Sequence, residues 1–86
     1  MGKGGLITLY RIGDFYEAFG EDAKAVAETC GSILCFVKID GRSAPMTGFP
    51  YFSLGAYQGE LEKAGYDVKI VDTVPSVTDL LRGNDA

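Results

Sequence analysis

The sequence predicts a domain of the α/β (α+β) class, a small mixed β-sheet flanked by helices in the order β-β-α-β-β-α-β-α. Three observations lead there. Short aromatic and β-branched runs alternate with two segments of helical spacing. The breaks between them fall at Gly-Asp, Asp-Gly, single glycines and prolines. Finally, 86 residues with 47% hydrophobic and 23% charged side chains have an ordinary globular composition and suffice for one domain, not two.

Residues 6–10, Leu-Ile-Thr-Leu-Tyr, and 15–19, Phe-Tyr-Glu-Ala-Phe, are β-prone, and Gly13-Asp14 between them signals a two-residue hairpin. The competing possibility makes Asp14 a helix N-cap with Glu17 three residues on. Phe15, Tyr16 and Phe19 favour strand, and Gly20 would interrupt that longer helix, so the hairpin is preferred. A helix over 21–30 follows: Ala23, Val26, Ala27 and Cys30 form one apolar stripe, Glu21 and Asp22 suit its positive end, and Gly31 stops it. Ile33-Leu34-Cys35-Phe36-Val37, within 32–38, is almost continuously apolar, which predicts an inner strand buried on both faces. Asp40-Gly41 then turns the chain into 44–49, where Pro45 and Pro50 predict an edge or bulged strand.

Ser53 is placed to cap a helix over 54–64 whose apolar face is Leu54, Tyr57, Leu61 and Ala64. Gly55 and Gly59 each weaken it by roughly 1 kcal/mol relative to Ala, and their spacing suggests close packing on the sheet. Gly65 ends it, and Val68 and Ile70 alternate with Asp67, Lys69 and Val71 in a last strand over 66–73. Beyond Pro75 a short C-terminal helix over 76–82 and a frayed tail, 83–86, complete a single domain spanning 1–86. Tyr10, Tyr16, Phe19, Val26, Ile33, Phe36 and Leu61 are the expected core.

Composition excludes several functions. No apolar run approaches the ~18–20 residues of a membrane span, and Met1 to Gly5 carries no apolar signal core, so a cytoplasmic location is expected. There is no histidine, and two cysteines, Cys30 and Cys35, cannot alone close a four-ligand zinc site; they read as reduced and partly buried. Neither a P-loop nor a G-x-G-x-x-G fingerprint is present, and nucleophilic triads lack their usual base. No catalytic role, cofactor or metal is therefore expected. Asp67-Val68-Lys69 has the D-x-K form of half a metal-dependent nuclease site, but its nearest acidic complement, Asp40, stands at no recognisable spacing. It reads better as a solvated pair on a strand. The net charge of −4 and a pI near 4.5, with cations scattered at Lys3, Arg11, Lys24, Lys38, Arg42, Lys63, Lys69 and Arg82, predict at most weak unaided nucleic-acid binding.

Strand alternation puts Phe15 and Glu17 on one face and Tyr16 on the other. An aromatic and a carboxylate side by side after a tight turn can meet a partner, the ring by wedging into a base stack and the carboxyl at a base edge. A Phe beside a turn in a small sheet is nonetheless more often core.

Larger sequence blocks shift that balance. Arg11-Ile12-Gly13-Asp14-Phe15-Tyr16-Glu17-Ala18-Phe19, followed by Glu21-Asp22-Ala23, resembles the R-x-G-D-F-Y-E-x-F block of the N-terminal mismatch-recognition domain of the MutS family of DNA mismatch-repair proteins. Pro45-Met46-Thr47-Gly48-Phe49-Pro50-Tyr51 is similar to that family's P-M-A-G-V-P-Y, and Leu61 through Gly65-Tyr66 to Val68 and Ile70 to its L-x-x-x-G-Y-x-V-A-I. The three blocks occur in order over residues 8–73. The resemblance implies a mixed sheet with helices and a DNA-binding role without catalysis. Phe15 would be the wedge that enters the minor groove and stacks on an unpaired base, and Glu17 would hydrogen-bond that base. Arg11, Lys38 and Arg42 are candidate phosphate contacts, and Gly13 and Gly48 are expected to be structural. The implied partner is double-stranded DNA with a mismatch or unpaired base, together with other domains of a larger protein. A complete repair cycle needs the family's clamp, lever and ATPase domains, none of which lies in these 86 residues, so the chain is either an excised domain or a small relative such as a phage or mobile-element module. Phe52 stands where the family usually has His, Asp72-Thr73 replaces Glu-Gln, and the family's basic segment is thin. The alternative is a protein-interaction module that keeps the fold without DNA binding, for which an exposed aromatic patch at Phe49, Tyr51 and Phe52 would speak.

Overall fold

The structure, a computed structural model, describes residues 4–72. The helix expected over 76–82, the end of the strand expected to reach 73, and the tail lie outside the described residues. Within them the elements are β1 (Leu6–Ile12), β2 (Phe15–Phe19), α1 (Glu21–Cys30), β3 (Cys35–Ile39), β4 (Arg42–Pro50), α2 (Leu54–Lys63), entered through a 3-10 turn at Tyr51–Ser53, and β5 (Asp67–Val71). The five strands form one sheet in the order β3-β4-β2-β1-β5. β1–β2, β2–β4 and β3–β4 are antiparallel, and β5 closes the far edge parallel to β1, so the sheet is mixed as expected.

The pleat sorts the side chains. Ile7 and Leu9 of β1, Tyr16 and Ala18 of β2 and Phe49 of β4 meet Ala23 and Val26 of α1 and Leu61 of α2 in one core. Leu54, Tyr57, Tyr66 and Val68 pack around it, and Phe49 stacks on Tyr57 with ring centroids 3.8 Å apart. Both helices therefore cover this first face. Residues of opposite parity, among them Tyr10, Phe15, Glu17, Phe19, Met46 and Gly48, belong to the second. α2 ends in a Schellman arrangement, with Tyr66 N–H donating to Leu61 O and Gly65 N–H to Glu62 O.

Several expectations are corrected. The run around Ile33–Val37 is not an inner strand. Ile33 and Ser32 precede β3, because the Ile33 carbonyl accepts a 2.7 Å bond from the Thr47 hydroxyl, which also bonds Ser32. β3 itself is the sheet edge, so Ile33 and Phe36, expected in the core, are exposed at 81% and 63%. Conversely, β4 is an inner strand despite Pro45. The Pro45 carbonyl accepts from Gly20 N–H just past the last β2 pair, Phe19 with Met46. A strand residue's N–H and C=O point to the same side, so the missing N–H falls where β2 has already turned away and no ladder bond is lost. Ser53 makes no side-chain cap; the 3-10 turn feeds α2 instead. Gly55 and Gly59 face open space and pack closely on nothing. Cys30 is partly buried as expected, whereas Cys35, on the edge strand, is exposed.

Candidate nucleic-acid interface

The β1–β2 hairpin turns on Gly13 and Asp14, with Ile12 paired to Phe15. Gly13 has φ 62° and Asp14 does not enter positive φ, the pattern of a type II′ turn, which matches the twist of the flanking strands. Phe15 is thus the first residue of β2, opposite Ile12 on one side and Pro50 on the other. It is 46% exposed, so its ring is half seated and half offered. Glu17 follows two residues on, on the same face, between Tyr10 and Gly48. Its carboxyl is half-buried, and burial raises its pKa above the ordinary 4.5. Tyr10 and Phe19, with ring centroids 6.0 Å apart, lie on the same face as Glu17.

The turn is braced from behind. Arg11 has the parity of the core face, and its Nε donates to Gly13 O at 2.6 Å. Its guanidinium carbon stands 4.6 Å from the Tyr51 ring centre and 5.5 Å from that of Tyr16. Tyr51 N–H donates to Asp14 O at 2.8 Å. β4 and the start of the 3-10 turn therefore hold the hairpin tip through one backbone bond and one stacked cation. Lys38 and Arg42 are placed elsewhere. They lie at the β3–β4 turn, Lys38 opposite Ser43 and Arg42 opposite Ile39. Arg42 shares the face of Phe15 but sits eight residues along β4 from Pro50, roughly 27 Å at ordinary strand rise. The five candidate residues thus divide into a pair, Phe15 and Glu17, a brace, Arg11, and two distant cations.

The other candidates separate further. Asp40 and Asp67 lie at opposite edges of the sheet, which removes the basis for a nuclease pair. Among the described residues no group of three His, Cys, Asp or Glu side chains is disposed to hold a metal ion. None of their helices is long and apolar enough to cross a membrane. Of the proposed aromatic patch, Phe49 is 3% exposed and belongs to the core, leaving Tyr51 and Phe52 in edge-to-face contact at the surface. One structural residue escaped sequence reasoning. Asp22, read only as a favourable charge at the start of α1, accepts the Thr8 N–H at 3.0 Å, near the end of the β1–β2 ladder. A side chain reaching a strand 14 residues back leaves no local signal.

A small mixed sheet that presents an aromatic and a carboxylate beside a braced hairpin has known relatives. A family model described as MutS domain I matches residues 3–80. Proteins named DNA mismatch repair protein MutS from Thermotoga neapolitana and Thermotoga maritima are each 48% identical over 66 residues, which is 77% of this chain and 8% of theirs. One of the same name from Anaplasma phagocytophilum is 41% identical over 71 residues, covering 83% of this chain and 8% of its own. The chain belongs to the MutS domain I family, and it spans less than a tenth of the length of these relatives.

Proposed function

We propose that this domain binds double-stranded DNA carrying a mismatch or unpaired base, as the recognition module of a mismatch-repair protein acting in the cytoplasm. Phe15 is the wedge and Glu17 the partner of the displaced base. The observation that carries this is the presentation of Phe15 and Glu17 on one strand face beside a turn pinned from behind by Arg11 and Tyr51. A defective site is easier to unstack and kink than a paired one, so a half-seated ring selects deformable DNA rather than a sequence. The ring's seated half limits the entropy lost on insertion. Arg11 serves this site as the brace of its turn. Lys38 and Arg42 are the phosphate contacts, well away from the wedge: Arg42 from the face of Phe15, and Lys38, of opposite parity, from around the edge strand. The domain supplies no catalysis; ATP chemistry belongs to other domains of the family, and those domains are its further partners.

Charge sets the strength. With a net charge of −4 and no row of cations flanking Phe15 among the described residues, affinity for DNA is low and falls with salt. The test is fluorescence anisotropy at low salt, comparing a duplex bearing a G·T mismatch or an unpaired T with its fully paired parent. A preference for the defective duplex supports the proposal. Equal binding to both, or none by a folded domain, counts against it and favours a protein-docking role for the Tyr51–Phe52 surface.

A further inference from the structure

We propose that Gly48 is the positioning residue for Glu17: by carrying no Cβ it seats the Glu17 side chain across β4 and so sets the direction from which the carboxylate meets a base. The proposal rests on the DNA-binding role above and adds the element that fixes its geometry. Gly48 stands directly opposite Glu17 in the β2–β4 ladder. Its φ is not in the positive range, so the backbone itself does not require glycine. Glycine inside a strand is unfavourable relative to other residues, and its presence there marks a close approach. The approach is visible: a Cβ at position 48 would lie 3.2 Å from Glu17 Cγ and 3.1 Å from Tyr16 O. No such contact arises at Gly55 or Gly59, where a Cβ meets nothing within 4 Å.

The consequence for Glu17 follows from its rotamer. With Cγ resting against the β4 backbone, one χ1 well is favoured and the carboxylate keeps a fixed bearing on the face it shares with Phe15. The same contact withdraws the side chain from water, in line with its half-buried state and raised proton affinity. A methyl at position 48 pushes Cγ toward another well, swings the carboxylate away and returns it to solvent.

The test uses Gly48→Ala, Glu17→Ala and the double variant, with two readouts. The first is the Glu17 carboxyl titration followed by carbon-detected NMR, which needs no DNA. In Gly48→Ala it should move down toward the ordinary carboxylate value. The second is the preference for an unpaired-T duplex over its paired parent. Gly48→Ala should reduce that preference by roughly tenfold or more, the scale of one hydrogen bond to a charged group. On the Glu17→Ala background the same substitution should leave the preference unchanged, because the side chain it displaces is gone and only the 3.1 Å approach to the Tyr16 carbonyl, common to both backgrounds, remains. An unchanged Glu17 titration in folded Gly48→Ala overturns the proposal, as does an equal loss on both backgrounds. Should Gly48→Ala unfold the domain, recovery of the fold in the double variant supports the proposal and its failure refutes it. Absence of any preference in the wild type would count against the DNA role, while the titration still decides the role of Gly48.

Discussion

Truncating Phe15 to Ala separates a wedge from a core residue, because the two roles differ in energetic cost. Phe15 retains 46% of its accessible surface, whereas Phe49, on the neighbouring strand β4 and the opposite face, retains 3%. A phenylalanine buries on the order of 200 Å² when fully enclosed, so Phe15 covers roughly 100 Å² and Phe49 about twice that. At ~25 cal/mol per Å², and allowing for what an Ala methyl still covers, Phe15→Ala should cost ~2 kcal/mol of folding stability. Phe49→Ala, which also leaves a cavity between the sheet and Tyr57, should cost ~4 kcal/mol. Urea unfolding followed by far-ultraviolet circular dichroism measures both in the same buffer. Alongside it, Phe15→Ala should lose the preference for defective duplex while Tyr10 and Phe19 keep the face intact. Equal destabilisation by the two truncations would place Phe15 in the core, and a fully retained preference would remove it from the interface.

Two further outcomes follow from the same geometry. Burial raises the Glu17 carboxyl above 4.5, so the folded state holds that proton more tightly than the unfolded chain does. The stability it contributes is present at low pH and declines as pH rises through 4.5 and the raised folded value. Glu17→Gln removes this decline, so the stability difference between variant and wild type should grow with pH over that window; urea midpoints that stay parallel would contradict the burial argument. For Arg11, stacking on Tyr51 and bonding Gly13 demand a planar guanidinium, so Arg11→Lys should destabilise the domain nearly as much as Arg11→Met, by ~1 kcal/mol, and neither should alter the salt dependence of DNA binding. A phosphate contact would give the reverse, a salt slope lowered by about 1 in Arg11→Met and restored by Lys.

Local signals made most of the fold legible. The Gly13-Asp14 and Asp40-Gly41 hairpins, the α1 stripe ending at Gly31 and the Leu61 face of α2 all lie where spacing and turn chemistry put them. What local signals do not carry is the lateral order of the strands. Apolarity at Ile33–Val37 measures what could be buried, and Pro45 measures which N–H is missing, but neither records the neighbour. Since β4 inserts between β3 and β2, the apolar run became the edge and the proline-bearing strand the interior. The same gap limits the site. Alternation alone paired Phe15 with Glu17, and the family resemblance gave the pair a meaning. The bracing of the turn by Arg11 and Tyr51 depends on a contact across 40 residues, which spacing cannot reveal.

The role proposed for Phe15 is to enter the stack at a DNA defect. The most direct measurement is the fluorescence of a 2-aminopurine placed beside an unpaired T, titrated with the domain at low salt. Insertion should unstack the probe and raise its emission with wild type, leave it unchanged with Phe15→Ala, and leave the fully paired duplex dark with either. Binding to the unpaired-T duplex without a rise in emission, or an equal rise with Phe15→Ala, would contradict the account.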